Sequence, residues 1–458
     1  MTTTYQVRFW EIAHWKKKAR PYGVRWVTEG KQHSEWFVTK ALANNRRSQL
    51  MQAARAGEAF DVESGLPASE MRRRNSATLV QLAQEYVAMK WPDQAANSRR
   101  STVDALATAC AAFVVDGPAR PSVAALRRML TVHVLPPSDR RDEIGDEDRL
   151  VVDWLAKSSR PVGDLAEASA ARELLDGLAR NLDGKVAAAT VIGRKRAVVH
   201  NLLAFAVERE LLVSNPVTHL RWKRPKRVEQ VDPRVVINPR QARELFVVLS
   251  YVGRRNATRG AHLVGFFAGI YYSAARPAEM INIRETDCKL PETGWGELTL
   301  WESRPAAGSR WTDSGEVHDR RGLKHRAARE ARIVPIPPAL VLSLREHIDR
   351  FGVGADGRLF RSPGGGVVGS ATYTRVWHAA RELALTPAQV ASPLAARPYD
   401  LRHAAVSTWL NAGVPAAEVA ERAGHSVDVL NKVYAKCLDG QRDAINERIS
   451  AVLGSRLG

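Results

Sequence analysis

Between residues 397 and 440 the chain reads RPYDLRHAAVSTWLNAGVPAAEVAERAGHSVDVLNKVYAKCLDG, which gathers Arg402, His425 and Tyr434 in one helix-rich span. A guanidinium binds anionic oxygens through charge-assisted, often bidentate bonds. A phenol is a good nucleophile only when ionised, and at pH 7 a free tyrosine is about one part in 10³ ionised, so it needs a base or a strongly cationic setting. A second arginine, Arg276, stands far upstream in YYSAARPAEM, with Glu279 three residues beyond it. Singly, each has an ordinary structural explanation. Arg276 can cap the carbonyls of the apolar helix before it. Arg402 can be structural at the head of an Ala-rich helix, and Tyr434 shares helical spacing with Val427 and Leu430, where a core tyrosine is expected.

The rest of the chain narrows the chemistry. Its 458 residues suggest two to four domains with ample apolar material. Lys and Arg number 68 against 49 Asp and Glu, a formal charge of +19 that argues for a polyanionic partner. The most apolar long stretch, LVGFFAGIYYSAA, has 13 residues, short of the ~20 a spanning helix needs. The N-terminus lacks the apolar core of a signal peptide. Cys110, Cys288 and Cys437 are scattered, with no CxxC pair. The expectation is a cytoplasmic protein that faces DNA or RNA and no membrane.

Residues 5–39 hold three runs of strand character, YQVRFW, YGVRWVT and EWFVT, and KALANNRRSQLMQAARAGE follows with helical spacing. This predicts a small α+β module over residues 1–76, which carries 14 Lys/Arg and 7 Asp/Glu and so nets 14 − 7 = +7. Its basic face could be an ordinary solvated surface, or a sheet bearing Arg8, Arg25 and Trp26 could lie in a DNA groove. EMRRRNSAT (70–78) looks like a linker. Residues 77–220 read as an all-α domain, whose last helix bears an apolar stripe of Val198, Leu202, Phe205 and Val207 and is stopped by Asn215-Pro216. A basic connector occupies 221–237. Within it Arg221, Lys223, Arg224, Lys226 and Arg227 could be a solvated run or could track a phosphate backbone. Residues 238–458 form a mainly helical α+β domain with strands at GELTLWE and ARIVPIP, a long basic exposed hairpin loop between them, and a helical tail.

Together the candidate positions resemble the tyrosine recombinase (phage integrase) family. Its early arginine turn is matched by Ala275-Arg276-Pro277-Ala278-Glu279, its late histidine-led box by YDLRH (399–403), and its GH at a helix end by Gly424-His425. The tyrosine follows His425 by 434 − 425 = 9 residues, and Arg402 precedes it by 425 − 402 = 23. SNP at the end of the helical region and RIVPIP also look like family landmarks. The resemblance covers roughly residues 79–440, and its order is closest to integrases of actinobacterial mobile elements. One position departs: the box opens with Tyr399 instead of histidine. A phenol there can donate a hydrogen bond to phosphate but, with a pKa near ~10, is not a cation at neutral pH.

The resemblance implies roles. Tyr434 attacks a phosphodiester, and Arg276 and Arg402 stabilise the charge on the nonbridging oxygens of the phosphorane. His425 assists Tyr434, and Glu279 orients the site. Lys324, on the hairpin in GLKHRAARE, protonates the leaving 5′-hydroxyl. A phosphotyrosine linkage stores the bond energy, so no metal, nucleotide or other cofactor is expected; the sequence shows no four-ligand metal pattern and no P-loop. The implied partners are double-stranded attachment sites, a homotetramer on DNA, and an excisionase or host DNA-bending factor. Ile445, Ile449, Val452 and Leu453 form one face of the tail, which either docks on its own domain or reaches a neighbouring protomer. Two alternatives remain: a type IB topoisomerase-like strand cutter, and a catalytically inactive DNA-binding relative.

Overall fold

The computed structural model describes residues 2–16, 18–74 (backbone alone for 72–74), 77–117, 119–222, 230–253, 258–324, 330–434, 437, 446–447, 449–451 and 453. The chain divides into two compact units, one of residues 1–94 and 98–226, the other of 95–97 and 227–458.

In the first unit, strands Val7–Phe9, Ala13–His14 and Lys31–Phe37 all pair antiparallel with Tyr22–Thr28. The hairpin turns at Glu29 and Gly30, both with positive φ (44° and 83°), the backbone hand that suits the twist of the flanking strands. Helix Lys40–Arg55 starts where Thr39 accepts from the Leu42 N–H, and it buries Ala43 and Leu50. Alternation along Tyr22–Thr28 puts Val24 and Trp26 in the core with Leu50, Phe60 and Leu66. Trp26 is thus corrected from a groove-facing residue to a core one. It is 1% exposed, and its indole N–H donates to the Gly65 carbonyl at 2.6 Å. A lone run of strand-forming residues does not reveal which of its two faces is covered.

The segment read as a linker begins instead with helix Ala68–Arg74. Beyond it lie helices Leu79–Lys90, Ala96–Ala112, Val123–Met129, Asp146–Ser158, Ala168–Leu178 and Ala189–Glu208. The last buries Ile192, Lys195, Val199, Leu202, Leu203 and Ala206, a stripe rotated from the expected one. Lys195 can face inward because its ammonium donates to the Thr108 hydroxyl at 2.9 Å. That helix ends before Asn215, which instead N-caps a separate short helix, Pro216–His219.

In the second unit, an Asn238–Gln241 capping box opens helix Pro239–Leu249. Helix Val264–Ser273 buries eight of its ten residues, as a helix apolar all round must. Around it pack Pro239–Leu249, Pro338–Phe351 and Asp400–Asn411. Strands Arg332–Ile336, Gly296–Leu300 and Cys288–Lys289 form an antiparallel sheet in that order, with Arg332 opposite Leu300. The segment between the two longer strands is not simply an exposed loop. Glu302–Ser303 pairs with Arg321–Gly322, and Ala307, Trp311, Thr312 and Leu323 are buried. Among the described residues no helix is long and apolar enough to cross a membrane.

Candidate active site

Three helix ends and one strand end in the second unit converge on a cluster of guanidiniums. Helix Val264–Ser273 closes at Ala274 in a left-handed conformation (φ 50°), unusual for a residue with a Cβ. The turn aims the Ala274 carbonyl at Arg402, whose Nη1 donates to it. Arg276 then N-caps helix Pro277–Met280. Its backbone N–H donates to Glu279 Oε2 at 2.8 Å and its Nη1 to Oε1 at 2.7 Å. Arg332 reaches the same carboxylate through Nη2 at 2.7 Å.

The third helix end supplies carbonyls. Ala416–Ala423 terminates at Gly424 with φ 64°, and a Cβ there would collide with the Arg332 guanidinium. Glycine is needed twice over, for the backbone hand and for the space. The Gly424 carbonyl accepts from Arg276 Nη2 at 3.2 Å; that of Ala423 accepts from Arg402 Nη2 at 2.6 Å and Arg332 Nη1 at 3.2 Å. The carbonyl end of a helix is partially negative, so it favours cations here.

Arg402 is fully buried on helix Asp400–Asn411. Its Nη2 also meets His425 Nε2 at 2.7 Å, and it makes no ion pair with a carboxylate among the described residues. Burial, and then Arg276 beside it, lowers its pKa to about 10. Burial alone would raise the Glu279 carboxyl, yet Arg332, Arg276 and Arg402 hold it down at about 2. Burial and the same arginines lower His425 to about 3, so it is a neutral imidazole at physiological pH.

Tyr434 closes helix Val427–Tyr434 and is 1% exposed. Its ring lies 6.1 Å from that of His425, and its hydroxyl bonds Nδ1 of His403 at 2.9 Å. Burial pushes the phenol up, and Arg402 opposes that shift. Tyr399, half-buried before the same helix as Arg402, sits edge-on to His403 with centroids 5.1 Å apart. Arg276, Glu279, Tyr399, Arg402, His425 and Tyr434 therefore share one site.

Lys324 does not visibly join them. It is exposed just after Arg321–Gly322 and makes no hydrogen bond or ion pair with these side chains among the described residues. Arg8 and Arg25 are exposed in the first unit, on the sheet face opposite Val24 and Trp26, with Arg25 over the Trp10 ring at 5.7 Å. Arg221 is exposed too; Lys223, Arg224, Lys226 and Arg227 lie outside the described residues. In the tail, Ile449 and Leu453 are exposed, while Ile445 and Val452 lie outside the described residues.

Two residues of the cluster carry no role in the sequence reading. Arg332 left a signal: it shares strand parity with Val334 and Ile336, and an arginine on the buried face of a strand needs a carboxylate. His403, inside YDLRH, left none beyond its neighbour Arg402.

Glu279→Gln is expected to destabilise the fold by about 3–5 kcal/mol at pH 7, since it breaks a buried ion-pair network on one side. A carboxyl held below its ordinary 4.5 contributes stability above that value and loses it as pH falls towards 2. The gap between the denaturant midpoints of wild type and variant is therefore expected to shrink from pH 5 to pH 2.

No sequence-family model matches the chain, and no characterised protein matches it by sequence. Solved structures do. A lambda integrase dimer bound to a COC′ core site is similar over 94% of this chain and 95% of that one, with 11% identity and a TM-score of 0.51. The Tn1549 transposon integrase in complex with a circular intermediate DNA is similar over 82% of this chain and all of that one, with 12% identity and a TM-score of 0.50. Identities this low express a likeness of fold, and the fold of this chain is that of the tyrosine recombinases, as the motifs in its sequence imply.

Proposed function

We propose that the chain is a site-specific DNA recombinase that integrates and excises a mobile element by metal-independent transesterification. The observation that carries this reading is Tyr434 beside Arg402, a buried guanidinium bonded to carbonyls and an imidazole instead of a carboxylate. Such a group is completed by an anion, and the adjacent phenol is a nucleophile for it. The two solved structures named above are complexes with DNA, and the net charge of +19 suits the same partner.

In the proposed reaction Tyr434 Oη bonds to the scissile phosphorus and the bond to the 5′-oxygen breaks, leaving a 3′-phosphotyrosyl link and a free 5′-hydroxyl. Arg276 and Arg402 hold the nonbridging oxygens, and donors preorganised for transition-state charge are commonly the largest catalytic contribution. Glu279 fixes Arg276 and Arg332, and among the described residues it makes no hydrogen bond with Arg402. Lys324 supplies the proton to the 5′-oxygen. Attack by the 5′-hydroxyl of a second duplex reverses the chemistry and exchanges strands with no nucleotide consumed. Residues 77–220 and 238–458 bind the core site, joined by the basic connector 221–237, and four protomers assemble on DNA with an excisionase or a host DNA-bending factor.

Residues 1–76 are the arm-binding module in this reading. Tethered contacts at distant sites raise effective concentration without touching the chemistry. Arg8→Glu with Arg25→Glu is therefore expected to spare cleavage of a short core duplex and to impair integration into full-length attachment DNA. Equal integration by variant and wild type would remove the arm-binding role. The function itself is tested with two differently labelled duplexes that carry the sequences flanking the element. Exchanged products support recombination. Relaxation of a supercoiled plasmid without exchange would point to a topoisomerase, and binding without cleavage to an inactive relative.

A further inference from the structure

Among the described residues the hydroxyl of Tyr434 has one hydrogen-bond partner, His403 Nδ1 at 2.9 Å. His425, the expected helper, is oriented otherwise, with Nε2 occupied by Arg402. We propose that His403 is the proton acceptor for the Tyr434 nucleophile and that Tyr399 orients its ring. The inference rests on the recombinase reading and assigns a catalytic residue within it.

The proposal sets the tautomer. With Nδ1 accepting from the phenol, the imidazole carries its hydrogen on Nε2. As Oη bonds to phosphorus, its hydrogen passes to Nδ1 and the bond to the 5′-oxygen breaks; that oxygen takes its proton from the acid assigned to Lys324. On rejoining, the 5′-hydroxyl attacks and gives its proton back to the Lys324 amine, the phenolate departs, and Nδ1 returns the proton to it. No oxidant or cofactor enters. A separation of 2.9 Å lies within the reach a general base needs.

Charge around His403 links the proton transfer to substrate. Facing it are Tyr399, Asp400, Arg397 and Arg402 from its own helix and the turn before it, His425 after helix Ala416–Ala423, and Tyr434 from the last helix. Burial holds His403 at about 4; Asp400 opposes the shift, while Arg402 and Arg397 add to it. In the DNA-free protein the imidazole is therefore a reluctant acceptor. A phosphodiester bound at Arg402 offsets that repulsion, so proton uptake becomes favourable where a substrate is present.

His403→Gln and His403→Asn keep a hydrogen-bond acceptor near the phenol but cannot take up its proton. Single-turnover adduct formation on a nicked duplex is expected to fall by about 10²-fold in both, with DNA affinity unchanged. Fluorotyrosine at position 434, a more acidic phenol, is expected to recover most of that loss, which no purely structural role would allow. Adduct formation within about threefold of wild type, well under what general-base catalysis supplies, would overturn the inference. So would a loss in both variants that the acidic phenol leaves untouched. A wild type that forms no adduct removes the recombinase reading itself, whereas an active wild type with an unimpaired His403→Gln removes this inference alone.

Discussion

Tyr434→Phe is expected to bind DNA as wild type does and to form no covalent adduct. The substitution removes one oxygen from a ring that is 1% exposed and leaves that ring and Leu430 in their shared core with Val406, Val419 and Ala423. Its structural cost is the unpartnered Nδ1 of His403, about 1–3 kcal/mol for a buried group that loses its partner. Gel separation of protein–DNA adducts on a nicked duplex provides the measurement. An adduct at undiminished rate from Tyr434→Phe would show that another residue attacks the phosphate.

The second large effect concerns Arg402. Arg402→Ala is expected to slow cleavage by about 10²–10³-fold or more, the loss typical of one missing transition-state donor. Arg402→Lys separates charge from shape. Lysine keeps the cation but lacks the planar fork that reaches the Ala274 and Ala423 carbonyls and His425 together. A lysine variant that folds, binds DNA and still cleaves at least about 10²-fold more slowly would locate the contribution in guanidinium geometry. A defect below tenfold in Arg402→Ala, with the fold intact, would place this side chain outside the site.

Much of the site was legible because its residues are tied to backbone devices that leave local traces. Gly424 is required by a left-handed helix end and by the Arg332 guanidinium, and so GH marks a helix terminus in the sequence. Arg276 and Glu279 form a capping pair three residues apart, a spacing any reader can see. What was not legible depends on contacts between distant segments. The bond from Tyr434 to His403 spans 31 residues, and that from Arg332 to Glu279 spans 53.

Fold elements divide in the same way. Strands Gly296–Leu300 and Arg332–Ile336 and helix Pro239–Leu249 follow from alternation and capping. Trp26 was misread because strand character does not say which face is covered, and the helix Ala189–Glu208 stripe because a lysine can be buried when Thr108 meets it. The basic segment after Leu300 hides buried Ala307, Trp311 and Thr312, since sparse apolar residues in a polar stretch carry no period.

The central claim is that Tyr434 attacks DNA with the arginines around it. The direct measurement is to trap the wild-type chain on a duplex nicked beside the cleavage point, digest the adduct, and locate the modified peptide by mass spectrometry. The expected result is a 3′-phosphate linked to Tyr434, formed without added metal or nucleotide. A nucleotide attached to any other residue, or cleavage with no protein attached, would contradict it.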